Sequence, residues 1–154
     1  MASRLLGSAL VIALALVPVH ACGPKLPNVK ITVVVILATE NDGPIDKRLK
    51  HIAAEIQKLN PSLKSFELKN MTDKSVPPNE KVTFNLVDMK KALVVVKHGA
   101  DDGNKVGLAV TAPDQGEIVY STVCGKFLPI VTRYETKKGE RLILAIRVQP
   151  CKGE

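Results

Sequence analysis

Apolar residues along this chain are spaced in three ways, and each spacing predicts a different element. Ile31-Thr32-Val33-Val34-Val35-Ile36-Leu37 is apolar on both alternating faces and rich in β-branched residues, the pattern of a central strand covered on each side. Asn41-Asp42-Gly43-Pro44 then reads as a turn, and Asp46 as the cap of a helix that runs to about Leu59 and stops at Asn60-Pro61. At helical spacing Leu49, Ile52, Ala53, Ile56 and Leu59 form one stripe, so this helix should cover one face of a sheet. After Pro61 the period drops to two. Phe66 and Leu68, then Val82, Phe84 and Leu86, and finally Leu142, Leu144, Ile146 and Val148 alternate with polar or opposite-face residues. Further short strands are expected at Ala92 to Lys97, Val106 to Thr111, Glu117 to Val123 and Leu128 to Tyr134, separated by Gly, Pro and Asp-rich connectors. The layout predicts an α+β domain in which one N-terminal amphipathic helix packs on a mainly antiparallel sheet, curled into a small sandwich or open barrel.

The third spacing is no spacing at all. Leu5 to Val17 is an unbroken apolar to weakly polar run, preceded by Arg4 and followed by Pro18 and the small residues of Val19-His20-Ala21. That order is expected of a secretory signal peptide over residues 1–21, and the run is shorter than the ~20 residues a membrane span needs. Val19-His20-Ala21-Cys22 resembles a bacterial lipobox, in which the cysteine is acylated and becomes the new N-terminus. The resemblance makes Cys22 a candidate lipidation site and residues 22–29, with Gly23-Pro24-Lys25-Leu26-Pro27, a short stiff tether to a domain over 30–154. An ordinary secreted protein with the same cleavage point and an uncleaved N-terminal anchor are the other readings. The mature chain also resembles short exported bacterial proteins with a strand, helix and meander layout and a closing strand like Leu142-Ile143-Leu144-Ala145-Ile146; the resemblance implies the fold and no activity.

Cysteine parity agrees with lipidation, because three cysteines are an odd number for an oxidising compartment and removing Cys22 leaves Cys124 and Cys151. If the last three strands form a meander, these two lie at one end of next-but-one strands, about 10 Å apart, and a disulfide forms only if the chain curls over the corner at Gly125-Lys126. A disulfide and a pair of buried or free thiols both remain open.

Chemistry is sparse elsewhere. The chain has no Trp, three Phe and two Tyr, which removes the usual aromatic anchors of sugar and base sites. Its formal charge of +7 is carried by lysines spread singly or in pairs, without the aromatic interleaving of a nucleic-acid surface, so no nucleic acid is expected as a partner. His98-Gly99-Ala100-Asp101-Asp102-Gly103-Asn104 gathers metal-ligating types, yet lacks the order of a calcium loop and reads as a polar hairpin loop; no metal or cofactor is expected. No nucleophile motif accompanies the two mature histidines, and Asp114, Glu117 and Glu135 fall at solvent-facing turn and strand positions. Lys47, Lys50, His51 and Lys58 fall on the outer face of the predicted helix, either as a solvated face or as a strip that rests on anionic lipid or polymer. The expectation is a non-catalytic envelope module with a protein-binding or structural surface, partnered by an envelope protein or anionic polymer. The alternative is a small extracytoplasmic enzyme or enzyme inhibitor.

Overall fold

A computed structural model describes residues 27–151 of the chain. The signal peptide, Cys22 and the tether as far as residue 26 lie outside the described residues. Eight strands and one helix follow one another as β1 (Val29–Thr39), α1 (Lys50–Leu59), β2 (Ser65–Val76), β3 (Lys81–Asn85), β4 (Lys91–His98), β5 (Lys105–Thr111), β6 (Glu117–Val123), β7 (Leu128–Glu135) and β8 (Arg141–Gln149). They build two four-stranded sheets, one in the order β2-β1-β8-β7 and one in the order β3-β4-β5-β6, with every neighbouring pair antiparallel.

The two apolar faces of β1 each find a cover. Ile31, Val33, Val35 and Leu37 point between the sheets with Leu142, Leu144, Ile146 and Val148 of β8, and meet Phe84, Val94, Leu108 and their neighbours from the second sheet. The intervening Val34, Ile36 and Ala38 join Ile143, Ala145 and Phe66 beneath Leu49, Ile52, Ala53 and Ile56 of the helical segment. The molecule therefore has three layers, helix on sheet on sheet, and its first sheet is shared between two cores. This is a β-rich α+β sandwich with open edges, and no closed barrel forms.

Local signals place α1 where the periodicity put it. Asp46 Oδ1 accepts the backbone N–H of Arg48 at 2.9 Å, which caps a 3-10 turn over Lys47–Leu49 that leads into the α-helix. The Asn60 N–H closes the helix on the Ile56 carbonyl at 2.8 Å, immediately before Pro61. Leu59, expected in the buried stripe, is 65% exposed: it is the last residue of the helix and lies at the rim of a stripe centred on Ile52, Ala53 and Ile56. Strand β2 reaches Val76, although Asn70 to Ser75 carry little strand propensity; pairing with the whole of β1 supplies the ladder that propensity does not.

The expected meander of the last three strands is not found. β6 closes one edge of the second sheet and β7 one edge of the first, so the chain changes sheets at Gly125-Lys126, where Gly125 takes a φ of +77°. No strand separates the cysteines, whose Cα atoms are 5.5 Å apart in a Cys124–Cys151 disulfide rather than at the 10 Å of a meander. The tail does curl over the corner: a Cβ on Gly125 would stand 3.1 Å from the Cys151 sulfur.

Candidate functional site

Two sheets that do not close leave four edge strands, β2, β7, β3 and β6, each with backbone N–H and C=O groups turned away from its sheet; on β2 the Pro44–Asp46 segment already takes those of Phe66. Three of them carry features that discourage another strand. β2 is studded with charge, including Lys69 paired to Glu67 at 2.6 Å and Asp73 paired to Lys30 at 2.8 Å. β3 is five residues long and follows Pro77-Pro78. β7 contains Pro129, and its pairing with β8 shifts register between Val131 and Glu135. The fourth edge, β6, has none of these.

β6 is built as a docking strand would be. All seven of its residues pair with β5, which holds it straight, and Glu117 at its start is its only charge. Tyr120 leans on the inter-sheet core, where burial pushes its phenol pKa up. Ile118, on the same face, remains 40% exposed, and on the outer face Val119 and Val123 are 68% and 42% exposed. Val119 stands level with Ala109 and Val95, so an apolar row runs from the middle of the second sheet out to the open edge. Along that row Val95 and Ala109 are buried, and the row opens to solvent at Val119.

The residues singled out from sequence are dispersed. Lys47, Lys50, His51 and Lys58 are all exposed, as a basic strip requires, but Lys58 is bound to Glu55 at 2.7 Å, and His51 borders a recess between α1 and the β6–β7 corner. The loop after β4 is organised by its own backbone. Asp101 Oδ1 accepts the N–H groups of Gly103 and Lys105 at 2.9 and 2.8 Å, which holds its carboxyl below the usual range. His98 approaches the Gly99 carbonyl at 2.9 Å through Nδ1, and its ring lies on Gly107, where a Cβ would come within 2.6 Å of Nε2. His98, Gly99 and Asp101 border an apolar recess of about 570 Å³ at the end of the sandwich, with Pro27, Val29, Pro78 and Cys151. Among the described residues, no three His, Cys, Asp or Glu side chains gather as metal ligands would.

Sequence reasoning identified β6 as a strand and missed it as a site. The signal was a run from Ile118 to Val123 without charge, Pro or Gly, but whether a strand lies at an edge is set by sheet order, which periodicity does not carry. No protein-family model, curated protein or solved structure matches this chain.

Proposed function

We propose that this chain is an exported envelope protein, cleaved before Cys22 and held to a membrane through lipid on that residue. Its folded domain is then a non-catalytic module that receives an extended segment of another envelope protein along β6. The observation that carries this reading is the undefended edge of β6 beside three defended ones. An incoming strand would take its affinity from the free backbone groups and its selectivity from Ile118, Val119 and Val123. The Cys124–Cys151 bond supports the compartment, since disulfides persist where the surroundings are oxidising. The strip of Lys47, Lys50, His51 and Lys58 would add encounter with anionic lipid or polymer, weakened by salt.

A photo-crosslinking residue at Val119, introduced into the full chain in its native envelope, should capture a defined protein, and one at Met71 on β2 should not. Lysine at both Val119 and Val123 should cut the capture at least tenfold without lowering the melting temperature, because both positions are exposed. Equal capture at both positions, or capture unchanged by the lysines, counts against the edge. Intact mass of the purified protein tests the anchor separately: an unmodified Cys22 leaves a secreted module with the same edge.

A further inference from the structure

The helix α1 covers only part of the outer face of the first sheet. Beside α1 the covered apolar row gives way to Asp73, Thr32 and Arg147, paired directly across β2, β1 and β8. Arg147 interrupts a strand that is otherwise almost wholly buried, and its guanidinium carbon lies 4.7 Å from the centre of the Phe127 ring. Stacking satisfies the face of the guanidinium but not its in-plane N–H groups, and among the described residues the buried Nε–H of Arg147 donates to no oxygen. The in-plane N–H groups at the guanidinium's outer end are natural donors to an oxyanion, which takes them as parallel hydrogen bonds.

A recess of about 500 Å³ borders this residue, with Lys126 and His51 on its walls beside Phe127. Among the described residues Glu55 is the one carboxylate on those walls. It is bound to Lys58 at 2.7 Å, and that bond first, then the charges of His51 and Lys126, holds its carboxyl below the usual range. Asp73, the other acid near Arg147, holds Lys30. Both nearby acids therefore already have a cation each, while Arg147, Lys126 and His51 line the recess together.

We infer that this recess binds a phosphate group, received by the Arg147 guanidinium on its Phe127 platform and flanked by Lys126 and His51. The inference goes beyond the β6 edge and does not depend on it, since the recess lies on the first sheet. A phosphate suits the site better than a single carboxylate because three basic side chains converge on it. The group comes either from a soluble phosphate or from the headgroup of an anionic phospholipid.

Titration of the disulfide-bonded protein with inorganic phosphate at constant ionic strength, followed by calorimetry, tests the site. Saturable 1:1 binding is expected, with affinity at least tenfold lower in Arg147→Met. If Arg147→Met does not fold, the paired His51→Gln and Lys126→Ala substitutions, both at exposed positions, should lower affinity at least threefold. Phosphatidylglycerol vesicles give the second arm: vesicle binding displaced by phosphate upholds the site and assigns it to a headgroup, and phosphate binding without such displacement upholds it for a soluble phosphate. No saturable binding of phosphate by the unaltered protein, or the same affinity in the folded variants, overturns the inference.

Discussion

Asp46 shows how one side chain sets the start of the helical layer. Its carboxylate accepts from the Arg48 backbone and from the Arg48 guanidinium at 3.1 and 2.7 Å. These bonds to Arg48 bring its pKa down to about 2, the side-chain bond contributing most. Because the folded value lies below the unfolded one near 4, the cap stabilises the fold above about pH 4 and its contribution is lost as pH falls through about 2. Carboxyl NMR titration should find Asp46 ionising near 2 in the folded protein, and in Arg48→Ala back toward its ordinary range; an ordinary value in both would deny the cap this role. Asp46 was legible in the sequence as a cap because capping is local chemistry. Arg147 was not, although a lone arginine in Leu142 to Val148 is a visible irregularity, because its meaning rests on Phe127 twenty residues away and on where α1 stops.

At the scale of elements, α1 is attached through one short stripe, and the burial of its residues divides them sharply. Ile56 is fully buried and Leu59 is largely in solvent. Ile56→Ala should cost about 2–5 kcal/mol, the range for emptying a well-packed core position, whereas Leu59→Ala should stay within about 0.5 kcal/mol. Urea unfolding of the two variants checks both, and similar losses would mean that the last helical turn packs after all. Period-two alternation located most strands to within a few residues but stopped β2 well short of Val76, and β1 announced its two covered faces through its unbroken β-branched run. The order of strands was beyond reach, since alternation says which residues share a face and not which strand lies alongside. For that reason the meander placed β6 beside β7, where the structure puts them in different sheets, and the open edge of β6 went unseen. Val119→Lys, at the most exposed apolar position of that edge, should leave stability unchanged within about 0.5 kcal/mol, as an ordinary surface substitution does; a marked loss in thermal melting would show that β6 is covered within the molecule itself.

For the whole molecule, the Cys124–Cys151 bond ties the corner between the sheets to the end of the last strand and closes a loop of 27 residues. The chain-entropy estimate for such a loop is about 3.5 kcal/mol, an upper figure for the stabilisation it gives. Cys124 and Cys151 belong to one end of the inter-sheet core, whose bulk comes from β1, β8 and the second sheet, so a Cys124→Ser, Cys151→Ser double variant should fold at 25 °C and melt lower by roughly 10 °C. Failure to fold would place the bond among the essentials, and an unchanged melting point would mean that the tail is held by packing alone. The pairing of β1 with β8 governs when the fold forms. The first strand lies beside the last, more than a hundred residues later in the chain, and both cores draw on that last strand. A chain stopped at Glu140 should show no cooperative unfolding by circular dichroism, however much of the second sheet it contains. Folding that waits for distant contacts is slow, and here it waits for the final strand to be delivered. For a chain bearing the leader proposed above, that delay keeps the polypeptide threadable until nearly all of it has crossed a narrow export channel.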